Sequence, residues 1–190
     1  MDDQKLIVGA TSLVSDILKA IVGNGVAGIV GLFFVYYKWI EPWRKKGRED
    51  RDAGIQAAVA GTIRFAIKDD SVPNLDKMTM PGRGFIHDFL ARARKQGCTH
   101  AVGELTSESG KQHRHRYLYL DALVFTNLQK EHIESHGSFE KYAAAKLEIG
   151  KELERSPKRP RAMIANADTP YSEPFRALKV EEQRPFSYDE

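Results

Sequence analysis

The chain has 190 residues, of which 42% are hydrophobic and 29% are charged, and its formal net charge at pH 7 is +3. One apolar run holds much of the hydrophobic content, so the remainder is polar and has material for one small domain, which excludes two large ones. The single cysteine, Cys98, excludes an internal disulfide, and the mild charge is far from that of a dedicated nucleic-acid binder.

A long apolar run near the N-terminus predicts a transmembrane helix. Residues 20–37 read AIVGNGVAGIVGLFFVYY, with Asn24 as the one strongly polar side chain. At about 1.5 Å per helical residue the run spans about 27 Å, close to the thickness of a bilayer core. We place this helix at residues 20–40. The alternatives are a buried helix of a globular core and a cleaved signal peptide, and the late start of the run argues against cleavage.

The flanks of this run predict how it is oriented. Residues 1–19 before it form an amphipathic or extracytoplasmic segment with few basic side chains. Aromatic and basic residues crowd the other flank, as they do at a membrane–water interface. The predicted interface residues are Tyr36, Tyr37, Lys38, Trp39, Trp43, Arg44, Lys45 and Lys46. Because basic residues stay on the cytoplasmic side, we expect a single-pass protein with its N-terminus outside and its C-terminal domain in the cytoplasm.

Small residues within the run predict that the helix associates with a partner helix. Gly23, Ala27 and Gly31 fall at i, i+4 and i+8, which lets two helix backbones approach closely. Asn24 adjoins this ridge and can hydrogen-bond across a helix pair. The pattern favours a homo-oligomer, and the alternative is a chance spacing of glycines, which are common in membrane helices.

The remaining sequence divides into three predicted segments. Residues 41–71 are a basic juxtamembrane segment with a connecting helix over 48–69, and residues 72–155 form a small α+β cytosolic domain. Residues 156–190 are rich in proline and poor in aliphatic residues, so they cannot offset the entropy of ordering, and they predict an extended tail. The aromatic residues predicted to bind a partner protein along this tail are Tyr171, Phe175, Phe186 and Tyr188.

Periodicity predicts the elements of the small domain. An amphipathic stripe from Phe85 ends at Gly97 and predicts a helix. Residues 98–105 and 112–120 alternate like two strands and predict a β-hairpin. From Asp121 the pattern turns helical, and Ser138 caps a further helix that runs to residue 155.

Histidines and arginines supply weak candidates for binding sites. Imidazole nitrogens at short spacing can hold Zn²⁺, but neither histidine group has a convincing third ligand. The weak metal candidates are His100, His113, His115, His132 and His136. Arg114 and Arg116 lie among tyrosines and make nucleic acid an alternative partner, although strand alternation would put the arginines and the tyrosines on opposite faces.

No catalytic signature stands out, because the sequence has no G-x-S-x-G motif and no phosphate loop. Cys98 and His100 are more typical of a packing cysteine and its neighbour than of a nucleophile and base. We therefore assign no catalytic residue, metal or cofactor.

The sequence thus predicts a membrane-anchored α+β fold: one transmembrane helix, a mostly helical domain with a β-hairpin, and an extended tail. The predicted function is non-enzymatic: an adaptor or structural protein that organises a protein assembly at a membrane. The layout of the chain suits a viral protein. Its partners would be lipid and either a protein partner or a second copy. The alternatives are an oligomeric pore or lysis-type protein, a membrane-tethered His-dependent metal enzyme and a nucleic-acid-binding protein.

Overall fold

The computed structural model describes residues 32–37, 56–76, 78–82, 84–128 and 133–187, which all belong to a unit that spans residues 31–190. The strands found there are β1 (Leu32–Tyr37), β2 (Ala57–Ala60), β3 (Arg64–Ile67), β4 (Asp70–Pro73), β5 (His100–Leu105), β6 (Ala122–Phe125), β7 (Ala162–Asn166) and β8 (Glu182–Phe186). The helices are α1 (Phe85–Lys95), α2 (Ser107–Lys111), α3 (Ile133–His136), α4 (Phe139–Arg155) and α5 (Glu173–Arg176), with a 3-10 turn at Pro170–Ser172.

These strands form one mixed sheet in the order β4-β3-β2-β5-β1-β6-β7-β8. β2 is parallel to β5, and β6, β7 and β8 are parallel to one another. β1 is antiparallel to both β5 and β6. The strands that run in one common direction are therefore β2, β5, β6, β7 and β8. β3 and β4 extend one edge in antiparallel fashion. The described chain therefore has an α/β fold rather than the predicted membrane-anchored α+β fold.

Strand β1 lies inside the predicted transmembrane helix and overturns that prediction. Its backbone pairs with β5 from Leu32 to Tyr37 and with β6 from Leu32 to Val35. A continuous apolar run suits either a membrane helix or an inner strand, and the neighbours on both sides decide between them. Within the described ranges, no helix has the length and apolar character needed to cross a membrane. Because β1 occupies part of the predicted span, the predicted localisation as a single-pass membrane protein is wrong.

Two short strands stand where the sequence predicts a connecting helix over 48–69. β2 and β3 pair in antiparallel fashion, with Ala58 opposite Ile67 and Ala60 opposite Phe65. These four side chains are buried, while their neighbours along each strand are more exposed. The alternation has the period of a strand. A run of small apolar residues fits both the period of a helix and the period of a strand. Pairing with β5 makes this run a strand.

The predicted β-hairpin is also wrong, although β5 lies within its first strand. Residues 112–120 turn instead of pairing with β5, and His113 and Tyr117 have φ values of 56° and 65°. The backbone N–H of Arg114 closes one turn by donating to Ser109 O at 2.9 Å. After this segment all four residues of β6 are buried, so the apolar run that predicts a helix from Asp121 is an inner strand of the sheet.

Helices α1 and α4 confirm two of the predicted helices. Ile86, Phe89 and Ala93 bury one face of α1, and Gly97 follows with a φ of +83°, which ends the helix. Ser138 caps α4 by accepting a hydrogen bond from the backbone N–H of Lys141 at 3.2 Å. Both helices pack their apolar faces into a core that also contains Phe65, Leu105, Leu123, Phe125 and Met163.

Residues 156–187 are folded, so the prediction of an extended tail is wrong. Strands β7 and β8 continue the parallel part of the sheet beyond β6. Three of the five prolines in residues 156–190 occupy positions that need no backbone donor: Pro170 starts the 3-10 turn, Pro174 lies in the first turn of α5, and Pro185 lies in the edge strand β8. They mark the ends and the edge of elements rather than a disordered segment.

Arg161 joins the end of α4 to the segment before β8. It is buried, and its guanidinium donates to the carboxylate of Glu181 through Nε at 3.0 Å and through Nη2 at 2.8 Å. It also donates to the backbone carbonyls of Leu153 at 3.4 Å, of Lys179 at 3.2 Å and of Glu154. The hydrogen bonds from Arg161 lower the pKa of Glu181 to about 2.

We expect this ion pair to stabilise the fold above about pH 4.5 and to lose that effect as the pH falls toward 2. The pKa of the folded Glu181 carboxyl is about 2, below its ordinary value of 4.5, so unfolding takes up a proton in this range. Urea unfolding of the wild type and of Glu181→Gln, from about pH 2 to pH 7, tests this. The difference between their unfolding free energies should be largest at neutral pH and should shrink in acid. A difference that does not change with pH contradicts the prediction.

Candidate functional site

The parallel strands end along one side of the sheet, and polar residues follow them. Thr62 follows β2, Ser107 follows β5, Asn127 follows β6 and Asp168 follows β7. In open α/β sheets, ligands bind outside the carboxyl ends of the strands. We call this side the carboxyl edge and treat it as the candidate functional site.

Glu104, the next-to-last residue of β5, brings a carboxylate to the carboxyl edge. Its Oε2 accepts hydrogen bonds from the Thr62 hydroxyl at 2.7 Å and from the Thr62 backbone N–H at 3.2 Å. Thr79 Oγ1 lies 2.7 Å from the Thr62 hydroxyl oxygen, which is then left to accept a hydrogen bond from Thr79. The other carboxylate oxygen of Glu104 has no hydrogen-bond partner among the described residues. One oxygen of this carboxylate is therefore fixed by the fold.

Arg114 adds a positive charge beside these residues. Its guanidinium donates to the backbone carbonyl of Met80 and lies 3.7 Å from Met78 Sδ. Thr79 lies between these two methionines, so the arginine holds the segment that carries the Thr79 hydroxyl. We call Thr62, Thr79, Glu104 and Arg114 the Glu104 cluster, and it places a carboxylate, two hydroxyls and a guanidinium at one end of the sheet.

Exposed aliphatic side chains border the Glu104 cluster. Ile63, Leu75 and Met78 are 71%, 84% and 42% exposed. Asn74 ties their loops together, because its side-chain amide donates to Gly61 O at 3.1 Å and to Met78 O at 2.8 Å. Apolar side chains grouped around polar ones are typical of a surface that binds a ligand or a neighbouring domain.

A chain of buried polar side chains lies behind the carboxyl edge. Ser107 Oγ is 3.0 Å from His136 Nε2, and the His136 ring centroid is 5.4 Å from that of Tyr142. Lys146 Nζ lies 5.4 Å from the Tyr142 ring centroid, and the lysine is 2% exposed. Lysine is almost never fully buried without a compensating partner, and the tyrosine ring supplies one by a cation–π contact.

The four described histidines among the predicted weak metal ligands do not converge on one site. His115 is buried, its Nδ1 lies 3.3 Å from Ser109 O, and burial lowers its pKa. His113 is its ring neighbour, with centroids 6.3 Å apart. His100 Nδ1 lies 2.8 Å from Thr99 Oγ1, and burial lowers the His100 pKa too. His136 contacts Ser107, and His132 lies outside the described residues. Within the described ranges no three His, Cys, Asp or Glu side chains are grouped to hold a metal ion.

The other predicted site residues have varied positions. Arg114 is tied to Met80, whereas Arg116 is exposed. Phe175 stacks on Phe125 with ring centroids 4.1 Å apart. Tyr171 contacts Phe139, and Phe186 is half-buried in β8. Tyr36 and Tyr37 lie in β1. The predicted residues that lie outside the described ranges are Gly23, Asn24, Ala27, Gly31, Lys38, Trp39, Trp43, Arg44, Lys45, Lys46 and Tyr188.

Sequence reasoning missed the Glu104 cluster. A signal was present, because Glu104, Thr106 and Ser107 come at the end of an apolar strand, where an α/β sheet places its functional groups. The predicted hairpin hid it by making residues 107–110 a plain connection. The predicted helix over 48–69 likewise hid Thr62, which pairs with Glu104 across 42 positions in the sequence.

Known proteins resemble this chain over most of the described range. Residues 50–189 match the Mur ligase middle domain. The chain is 31% identical to UDP-N-acetylmuramyl-tripeptide synthetase of Treponema denticola over 138 residues, which cover 70% of this chain and 26% of that protein. It is 33% identical to UDP-N-acetylmuramoyl-L-alanyl-D-glutamate--2,6-diaminopimelate ligase of Chlorobaculum tepidum over 134 residues, covering 70% and 25%. It is 30% identical to the same-named ligase of Corynebacterium glutamicum over 148 residues, covering 77% and 27%. The chain spans about a quarter of the length of these curated relatives.

These matches overturn the predicted non-enzymatic function. The relatives are named as synthetases and ligases, which are enzymes. The matched range contains all of the Glu104 cluster as well as Ser107 and Lys146. The predictions of an adaptor or structural protein at a membrane, and of a pore or lysis-type protein, are therefore wrong.

Proposed function

Because this chain belongs to the Mur ligase family, whose middle domain it matches, we propose that it serves in an ATP-dependent ligase that joins an amino acid to a UDP-N-acetylmuramyl peptide. The names of the relatives suggest the acceptor, UDP-N-acetylmuramoyl-L-alanyl-D-glutamate, and an amino acid such as 2,6-diaminopimelate. The bond to be formed would be an amide between a carboxyl group of the acceptor and an amine.

The Glu104 cluster is the observation that supports this proposal. Nucleotide phosphates and the peptide carboxylates are anions, and Arg114 offers a guanidinium fork that suits both groups. The backbone carbonyl of Met80 holds that fork in place before a ligand arrives. A group that is already positioned loses little freedom on binding, which favours affinity and orientation of the reacting carboxyl.

A magnesium ion that accompanies ATP fits the donors of this cluster. Mg²⁺ prefers oxygen ligands and is usually held by one or two carboxylates together with water and phosphate oxygens. Glu104 has one carboxylate oxygen without a partner in the described ranges, and its other oxygen is fixed by Thr62. When bound, the ion would neutralise phosphate charge, and Glu104 is the residue that would hold it.

The sequence has no G-x-x-x-x-G-K-[ST] phosphate loop. Such a loop supplies the backbone donors that cradle nucleotide phosphates. We therefore expect this chain by itself to bind the UDP-N-acetylmuramyl peptide more tightly than ATP. Its exposed Ile63, Leu75 and Met78 side chains lie beside the cluster and would contact the less polar parts of that ligand.

Calorimetric titration of the chain with UDP-N-acetylmuramoyl-L-alanyl-D-glutamate tests the proposal. Arg114→Gln should weaken binding about 10–100-fold, because a charge-assisted hydrogen bond is lost. Arg116→Gln is the matched control, since Arg116 is an exposed neighbour two positions away, and it should bind like the wild type. Glu104→Gln should abolish any gain in affinity that Mg²⁺ gives the wild type relative to a chelator. Equal binding by Arg114→Gln and Arg116→Gln would contradict the proposed site.

A further inference from the structure

A groove on the side of the sheet opposite the carboxyl edge holds a second group of polar side chains. It lies at the amino end of β5, between α1 and residues 117–119, and has a volume of about 250 Å³. Leu90, Ala93 and Leu118 contribute apolar surface to it. The polar side chains that matter below are His87, Arg94, Tyr117 and Tyr119, and we call this feature the Tyr117 groove.

The backbone of Tyr117, which lines the groove, is strained. Its φ of 65° lies in the left-handed region, which bulky residues rarely adopt. The backbone N–H of Tyr117 donates to the buried carboxylate of Glu152 at 2.9 Å, which holds this conformation. The Tyr117 residue is nevertheless 69% exposed, so side-chain burial does not offset the strain within the described structure. Strain that the surroundings maintain around an exposed side chain points to a function for that side chain.

The groove carries positive charge without a matching acid. Neither Arg94 nor His87 has a side-chain hydrogen bond or ion pair among the described residues. Arg92, on the same helix, is by contrast paired with Asp88 at 2.9 Å. No acidic side chain from the described ranges lines the groove. An anion is therefore the ligand that this surface attracts.

We propose that the Tyr117 groove binds a small aromatic anion, which is a flat ring carrying one phosphate or carboxylate group. The ring stacks on Tyr117 and Tyr119, which is 46% exposed, and the anionic group pairs with the guanidinium fork of Arg94. A volume of about 250 Å³ is just below the roughly 300–1,000 Å³ of typical ligand pockets, so the ligand is small. The site is separate from the carboxyl edge and does not depend on the proposed ligase function.

Titration with phenyl phosphate tests the proposal, because this probe combines the two required groups and resembles neither a nucleotide nor a peptide. Amide chemical shifts should saturate with a Kd of about 1–5 mM, as expected for so small a ligand. Phenol and inorganic phosphate, which each carry half of the probe, should bind at least about tenfold more weakly. Benzoate in a parallel titration separates a preference for carboxylate from one for phosphate.

Two variants locate the bound probe. Arg94→Gln and Tyr117→Asn should each weaken binding about tenfold, and asparagine is chosen because it tolerates the left-handed backbone of position 117. Arg92→Gln on the same helix and Glu104→Gln at the carboxyl edge should bind like the wild type. Melting temperatures close to that of the wild type confirm that the groove variants remain folded.

Three results would overturn the proposal. Inorganic phosphate that binds as tightly as phenyl phosphate would mean that the rings contribute nothing. Unchanged binding by folded Arg94→Gln or Tyr117→Asn would place the probe elsewhere. Shifts that do not saturate below about 10 mM would mean that no specific site exists.

Discussion

Replacing Arg161 with alanine should lower the free energy of unfolding by about 3–5 kcal/mol, because the hydrogen bonds of its buried guanidinium, each worth about 0.5–1.5 kcal/mol, are lost. Five hydrogen bonds from the guanidinium end on Glu181, Leu153, Glu154 and Lys179. For a chain of this size the loss corresponds to a fall in melting temperature of about 6–20 °C. Urea unfolding followed by circular dichroism gives the free energy directly.

Arg159→Ala is the matched control for that measurement. Arg159 Nε lies 3.1 Å from Glu181 Oε1, so it pairs with the same carboxylate, but its side chain is 53% exposed against 8% for Arg161. An exposed ion pair stabilises by about 0–1 kcal/mol, so this variant should change the unfolding free energy by less than 1 kcal/mol. Similar losses for the two variants would show that the buried hydrogen bonds of Arg161 do not hold α4 to the end of the sheet.

Replacing Gly110 with alanine should lower the free energy of unfolding by about 2–3 kcal/mol, which is typical of overpacking between elements that cannot easily separate. A Cβ at this position of α2 would press on the backbone carbonyl of Ala145 in α4 and would lie 3.3 Å from Ile149 Cδ1. Because α2 begins at Ser107, its displacement should also lengthen the contact between Ser107 Oγ and His136. We therefore expect the ligand binding proposed above for the carboxyl edge to weaken together with the stability.

Gly82→Ala separates this clash from the general effect of losing a glycine. A Cβ at position 82 meets no atom within 4 Å. That variant should leave the unfolding free energy unchanged or raise it by up to about 1 kcal/mol, since alanine restricts the unfolded chain. A Gly110→Ala protein as stable as Gly82→Ala would mean that α2 and α4 separate without cost.

Helices α1 and α4 could be predicted from the sequence because their signals are local. Ile86, Phe89 and Ala93 recur with the helical period, Gly97 permits the positive φ that ends α1, and Ser138 satisfies a backbone donor within its own turn. Each of these interactions joins residues a few positions apart. A single sequence is enough to recognise them.

The sheet could not be predicted in the same way, because a strand is defined by partners that are distant in sequence. The run that includes residues 32–37 is apolar enough for a membrane helix, and pairing with β5 and β6 made it a strand. The four apolar residues of β6 fit a buried helix segment or an inner strand equally well, and their neighbours in the sheet decided. The prolines of the C-terminal segment suggest a lack of regular structure, but Pro170 and Pro174 fit the starts of helical turns and Pro185 fits the edge strand β8.

The sequence alone determined the apolar runs, helices α1 and α4 and the absence of a phosphate loop. Tertiary structure alone brought Thr62 within 2.7 Å of Glu104, tied Arg114 to the segment that carries Thr79, and placed Ser107 against His136. Each of these contacts joins residues separated by 29 to 42 positions. The physical reason is that parallel strands gather their carboxyl ends at one edge whatever their distance along the chain, so the site exists only once the sheet has formed.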